Sequence, residues 1–116
     1  YIFFFFSDQN WQGGGWKCSS SSFLFSLRNK EKLAPFIASI KQDQEQNAIW
    51  CNASYGPFFG GGYDLYICNN PQVNQSYSNF GRSYRLPPNY IDESDQARNL
   101  LAGHHQFITT EIEVFN

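Results

Sequence analysis

Residues 48–68 read AIWCNASYGPFFGGGYDLYIC and contain the strand and turn signals from which the fold is predicted. Two short apolar runs, 48–51 and 65–68, have the β-branched and aromatic composition of strands. The linker between them ends in three glycines, 60–62, which allow positive φ angles or a close approach of another group. The pattern predicts two sheet strands joined across a glycine turn with an unusually bare surface.

The composition limits the classes of protein that this chain resembles. It has 116 residues, enough for one domain, and 19% of them are aromatic, which provides a substantial apolar core. The net charge is −2, and the eight Lys and Arg residues are not clustered, which argues against a nucleic-acid partner. No basic amphipathic stretch suggests binding to a membrane surface.

The apolar run at residues 1–6, YIFFFF, is too short to cross a bilayer, which takes about 20 residues. It predicts a buried strand whose upstream partner is missing. We therefore expect a single domain over residues 1–116, incomplete at its N-terminus, with residues 1–10 as an apolar edge strand that is orphaned. An open edge of this kind favours aggregation, so a fragment without function is one alternative.

Further strands are predicted at residues 22–28, 36–41 and 106–115, with a shorter one at 84–86. In the first, Phe23, Phe25 and Leu27 form an apolar face, and the alternate residues form a mixed face. Residues 11–22 have loop composition, and residues 92–102 carry helix signals with Asp92 as N-cap. Many short strands without βαβ alternation predict a mainly β fold, α+β at the margin, as a two-layer antiparallel β-sandwich with one or two short peripheral helices.

The three cysteines, Cys18, Cys51 and Cys68, are an odd number at wide spacing. We interpret them as reduced thiols, which suggests the cytoplasm. No C-x-x-C pair occurs, and the adjacent His104 and His105 do not have the spacing of a zinc site, so we expect no metal and no cofactor.

Two enzymatic alternatives remain open. A redox enzyme would use Cys51, although its apolar run is expected to raise the pKa of the thiol and lower its reactivity. A hydrolytic enzyme would use Glu111 and Glu113, which share one strand face roughly 6–7 Å apart, a separation that suits glycoside hydrolysis. We favour a solvated strand face for this pair.

The candidate site is a partner-binding surface at the glycine turn. Glycines more often meet a requirement of backbone geometry than they form a binding surface, so we favour a tight turn or bulge at this point. A structural turn and a binding surface are compatible. Asp64 is a candidate hydrogen-bonding anchor for the turn. Aromatic residues are enriched at protein interfaces, so the predicted contact residues are Phe58, Phe59, Gly60, Gly61, Gly62, Tyr63 and Asp64.

Several blocks, read together, resemble the TLDc domain of the oxidation-resistance proteins. In order they are FLFSL (23–27), AIWCN (48–52), SYGP (54–57), FGGG (59–62), DLYI (64–67), SYSNFG (76–81) and LAG with the closing strand (101–115). They cover about residues 11–116. Three positions depart from the family pattern: Phe5 and Phe6 replace two glycines, and Tyr63 stands where relatives commonly carry His.

The resemblance implies a β-sandwich with a few peripheral helices in a eukaryotic, intracellular setting. It also implies a non-enzymatic role in resistance to oxidative stress. The implied partners are the peripheral, cytosolic subunits of the vacuolar proton-pumping ATPase (V-ATPase). No catalytic residue set comes with the family.

Overall fold

The computed structural model of the chain describes residues 1–9, 14–51 and 58–109. Within these residues the fold is mainly β, with one sheet of three strands and one of six. The strands are β1 (Ile2–Phe6), β2 (Gly15–Lys17), β3 (Phe23–Arg28), β4 (Phe36–Ser39), β5 (Ile49–Cys51), β6 (Phe58–Phe59), β7 (Leu65–Tyr66), β8 (Ser76–Ser78) and β9 (Gln106–Phe107). Their order is β1-β3-β4 in the first sheet and β2-β5-β6-β7-β8-β9 in the second, and all pairs are antiparallel. The predicted antiparallel β-sandwich is confirmed.

The core lies between the two sheets and is built from aromatic rings of both. The rings of Phe5 and Phe59 have centroids 4.4 Å apart, and those of Phe3 and Phe107 meet edge to face at 5.8 Å. Ile49, Leu65 and the ring of Phe59 are fully buried in the six-stranded sheet. Alternate residues of these short strands therefore face the core, which leaves the residues between them on the outer face.

The centre of the six-stranded sheet differs from the prediction in one respect. The apolar runs form β5 and β7 as expected, but they are not neighbours, because β6 lies between them and pairs with both. The glycine turn, residues 60–63, therefore joins β6 to β7. Two phenylalanines inside a Gly-rich linker were too short a run to be identified as a strand.

The three-stranded sheet corrects two expectations about its faces. The apolar face of β3 was expected inside, but Leu24 and Ser26 are the buried residues and Leu27 is exposed. Phe23 and Phe25 lie on the outer face, where each contacts a ring of β1. Both faces of β3 carry apolar residues, so alternation alone did not determine which face is buried.

β1 was expected to be buried and orphaned. It pairs with β3 along five residues, and only its alternate rings, Phe3 and Phe5, pack on the core. Phe4 and Phe6 are exposed by 44% and 47%. The expectation of a wholly buried strand is wrong because one face of this edge strand lies outside the sandwich.

The helical content of the described residues is small. The predicted helix at 92–102 is a single turn, α1 (Asp95–Arg98), and its N-cap is Ser94, whose side chain accepts from the amide of Ala97. Asp92 is therefore not the cap. A 3₁₀ turn spans Glu45–Asn47. Neither element, nor any other helix in the described ranges, has the length and apolarity that a bilayer crossing needs.

Three further predictions concern strand bounds. The segment predicted as a loop, 11–22, contains β2, a short strand at the edge of the six-stranded sheet. Residues 84–86 contribute one bridge, between Tyr84 and Ile40, instead of a strand. The strand predicted at 106–115 begins as β9, and its part from residue 110 onward lies outside the described residues.

Candidate functional site

The predicted contact segment, residues 58–64, is divided between the interior and the surface. Phe59 and Asp64 are fully buried and Phe58 is 7% exposed. Gly60 is buried as well, whereas Gly61 is exposed, Gly62 is half-buried and Tyr63 is 36% exposed. The contact segment is therefore accessible in its middle and enclosed at both ends.

Asp64 fixes the buried end of the segment. Its carboxylate accepts from the backbone amides of Gly81 at 3.0 Å, of Ser83 at 2.9 Å and 3.0 Å, and of Tyr84 at 3.0 Å. The carboxylate thus holds a chain segment that follows it by 17 to 20 residues. Asp64 was expected to anchor the glycine turn itself, but the amides that its carboxylate binds belong to residues 81–84.

The protonation of Asp64 reflects its burial. Desolvation raises the pKa of this carboxyl from 3.8 to about 6, while the amides of Tyr84, Ser83 and Gly81, and more weakly the charge of Lys41, oppose the rise. Lys41 forms no salt bridge with this carboxylate, and its Nζ donates to the carbonyl oxygen of Gly81 at 2.7 Å. Asp64 is a buried acid that backbone amides solvate.

Gly60 adapts the backbone to this carboxylate. Its φ is +90°, and a Cβ placed there would overlap with Oδ1 of Asp64. The next residue ties the turn to the anchored segment, because the amide of Gly61 donates to Oγ of Ser83 at 2.8 Å. At the end of the turn the amide of Tyr63 donates to the carbonyl of Gly60 at 3.0 Å. This end of the segment needs glycine at position 60 for a structural reason.

The exposed middle of the turn presents backbone and one aromatic ring. Tyr63 adopts a left-handed φ of 58° and rests its ring against Phe58, with centroids 4.7 Å apart. The carbonyl of Gly62 accepts from the side-chain amide of Asn79 at 3.4 Å. The accessible part of the turn thus consists of two residues without side chains beside a tyrosine ring that packs on Phe58.

A row of aromatic side chains, which we call the aromatic ladder, crosses the outer face of the six-stranded sheet. Trp16 is opposite Trp50, Trp50 is opposite Phe58, Phe58 is opposite Tyr66, and Tyr66 is opposite Tyr77. Successive ring centroids are 6.5, 5.0, 4.2 and 5.1 Å apart. Such cross-strand pairs stabilise a sheet. Because Tyr63 packs on Phe58, the glycine turn is continuous with this ladder.

Sequence reasoning missed the ladder. Its members come from five strands spread over 62 positions of the chain, so no local pattern links them. The one available signal was the period of two within each strand, which places Trp50, Phe58 and Tyr66 next to core residues. Register between strands was needed to bring the five rings into line.

The thiol of the redox alternative is enclosed. Cys51 is 3% exposed, and burial raises the pKa of its thiol, against a smaller lowering by Lys17. This agrees with the expectation from its apolar run and disfavours reaction with peroxide, since the thiolate is the nucleophile. Cys68 is also buried, whereas Cys18 is exposed.

The remaining candidate residues, the two histidines and the two glutamates, are not brought together in the described part of the chain. The ring of His105 contacts the carbonyl oxygen of Ser78 through Nδ1 at 2.6 Å, and His104 is exposed. Within residues 1–9, 14–51 and 58–109, no group of three or more His, Cys, Asp or Glu side chains is arranged to hold a metal ion. Glu111 and Glu113 lie outside the described residues, so the hydrolytic pairing stays a prediction.

Comparisons with known proteins give one match. The family model described as the TLDc domain matches residues 1–116. Searches of curated proteins and of solved structures found no match. The match covers the whole chain and confirms the resemblance that the sequence blocks indicated.

Proposed function

Since this chain belongs to the TLDc domain family, we propose that it is a protein-interaction domain without catalysis. TLDc domains are in general interaction domains. The observation that carries the proposal is the division of the contact segment, in which a rigid buried end supports an exposed middle. The contact residues of the proposal are Gly61, Gly62 and Tyr63, with Phe58 behind them.

Burial gives the other predicted contact residues a supporting role. Phe59, Gly60 and Asp64 have no surface to offer a partner, and they hold the exposed residues in place from beneath. A preformed surface loses little conformational entropy on association, which favours binding. A flat backbone beside a tyrosine suits a protein partner, because tyrosine is enriched at interface centres.

The partner that we propose is a peripheral, cytosolic subunit of the vacuolar proton-pumping ATPase. The support is the family membership, and the role implied with it is resistance to oxidative stress in the cytoplasm. The enclosure of Cys51 supports a role that does not consume peroxide directly.

The test is co-elution of the purified domain with purified cytosolic pump subunits in size-exclusion chromatography. We expect a complex with the wild-type domain and its loss in Tyr63→Asp, which places a charge at the centre of the surface. Val73→Asp is the matched control, because Val73 is 73% exposed in a different turn. Circular dichroism with a cooperative thermal melt confirms that each variant is folded.

Two results would overturn the proposal. One is the absence of any complex with a folded domain. The other is a complex that Tyr63→Asp and Val73→Asp weaken equally, because the glycine turn would then have no special part in binding.

A further inference from the structure

A small cleft opens beside the exposed middle of the glycine turn. Its volume is about 110 Å³, and it is lined by Gly62, Asn79, Arg82, Asp92, Glu93 and Arg98. Gly62 belongs both to the cleft and to the proposed contact surface. We call this site the arginine cleft, since two arginines, Arg82 and Arg98, line it.

The two arginines of the cleft differ in their ion-pair and hydrogen-bond partners. Arg82 pairs with Asp92, with Nε 3.6 Å from Oδ2, and with Glu93 through its terminal nitrogen. All three side chains are 39–60% exposed, and ion pairs of that kind are weak and easily exchanged. Arg82 can therefore change partners at little cost.

Arg98 has a hydrogen-bond donor without an acceptor. Its Nε is buried, and no atom of the described residues accepts a hydrogen bond from it. A buried donor without an acceptor is costly, and native proteins rarely leave a charged one unsatisfied. No acid of the described residues pairs with Arg98, although Asp92 and Glu93 line the same cleft. Nε itself is buried, so an acceptor that enters the cleft reaches it only after the arginine side chain shifts.

We propose that the arginine cleft receives a carboxylate side chain, Asp or Glu, of the protein that binds the exposed middle of the turn. This inference rests on the proposed function and names the chemistry of the partner. Guanidinium groups bind carboxylates through paired hydrogen bonds of defined geometry. The incoming carboxylate satisfies Arg98 and shares Arg82 with the acids already present.

Charge and size favour a carboxylate over a phosphate group. The four charged residues of the cleft, Arg82, Arg98, Asp92 and Glu93, sum to zero, so one added negative charge is tolerated. A phosphate monoester brings nearly two negative charges and three acceptor oxygens next to Asp92 and Glu93.

Gly62 keeps the cleft open. A Cβ at this position would overlap with Cβ and Cγ of Arg82, so any side chain forces the arginine to shift. The glycine therefore serves the wall of the cleft as well as the bare surface of the turn.

The test is an NMR titration of the 116-residue chain with acetyl-Gly-Glu-Gly-amide, observing the Nε–H signal of Arg98. The matched probe is acetyl-Gly-Gln-Gly-amide, which has the same shape without the charge. We expect a saturable shift with the glutamate peptide alone. Arg98→Gln should weaken binding about tenfold and Arg82→Gln about threefold, since each removes one guanidinium partner.

The controls separate this inference from a folding defect. Arg98→Lys keeps the charge but lacks the planar fork, so intermediate binding is expected. Arg85→Gln removes an exposed arginine outside the cleft and should leave binding unchanged. Thermal melts monitored by circular dichroism show which variants are folded.

Three outcomes overturn the carboxylate site. They are equal shifts with the Glu and Gln peptides, no shift at saturating concentrations of either, and a tighter response to inorganic phosphate than to the glutamate peptide. Failure of the proposed function is a different result, because it is loss of co-elution with pump subunits. Co-elution that persists in Arg98→Gln rejects the cleft and leaves the proposed function intact.

Discussion

The buried end of the contact segment and its exposed middle differ in what holds them. At the buried end, Asp64 accepts from three backbone amides and Gly60 fits tightly against its carboxylate. In the middle, Gly61 and Tyr63 are exposed and Gly62 is half-buried. The difference teaches that three adjacent glycines serve separate purposes, and that substitutions one residue apart should have unlike effects.

The largest effect is expected at the buried end, from Asp64→Ala. The substitution leaves three buried amides without an acceptor, and each such group costs about 1–3 kcal/mol. Removal of a buried charge offsets part of this, so we expect a loss of about 4–5 kcal/mol in the free energy of unfolding, measured by urea denaturation. Asp43→Ala, at an exposed position, is the control and should change stability by less than about 0.5 kcal/mol. A loss below about 1 kcal/mol in Asp64→Ala would remove the distinction between the two regions.

Paired glycine substitutions compare the two regions directly. Gly60→Ala requires a left-handed alanine and overlap with Asp64, so we expect a loss of about 3–4 kcal/mol. In Gly61→Ala the nearest atom to the new Cβ is Nδ2 of Asn47 at 3.2 Å, and that side chain can move. We expect a change of about 1 kcal/mol or less in the same denaturation experiment. The reverse ranking would mean that the backbone constraint lies in the middle of the turn.

The pH dependence of stability isolates the carboxyl of Asp64. Its pKa is raised from 3.8 to about 6, so the folded state binds the proton more tightly than the unfolded state does. The stabilising contribution of the protonated acid is fully present below about pH 4 and is lost as the pH rises through 6. A shift of this size corresponds to about 3 kcal/mol.

The measurement is the free energy of unfolding at pH 4, 5, 6 and 7 for the wild type and for Asp64→Asn, which does not titrate. The difference between the two curves should fall with rising pH over that range. A carboxyl carbon titration of Asp64 by NMR checks the pKa itself, and a value below 4 would contradict the prediction.

The smallest effect on stability, and the most specific effect on binding, is expected from Tyr63→Ala. The ring is 36% exposed and rests on Phe58 alone among the ring contacts of the described residues. We expect a stability loss of about 1 kcal/mol or less, with partner binding weakened about tenfold, as at interface hot spots. Calorimetry against the pump subunit that co-elutes provides the affinity. An unchanged affinity would move the contact surface away from the turn.

The sequence predicted correctly those structural features that depend on residues close together in the chain. The strands at residues 49–51 and 65–66 and the raised pKa of Cys51 were both predicted from local context. The predicted β-sandwich followed from many short strands without helices between them.

The sequence did not predict those structural features that depend on residues far apart in the chain. The amides that bind Asp64 come from residues 81–84, and the aromatic ladder depends on the register of five strands. The burial of β3 also depended on its partners, because both of its faces carry apolar side chains. The arginine cleft joins Gly62 to α1, and no spacing in the chain links them.

The unequal exposure of the three cysteines allows thiol labelling to report on the structure without an introduced cysteine. Cys18 is exposed directly after β2, so a maleimide dye under native conditions should modify that position alone. Its fluorescence would then follow events at the edge of the six-stranded sheet without an engineered label. Cys51 and Cys68 are buried and become reactive only when the sheet opens. The rate at which they are modified therefore measures the rate of that opening.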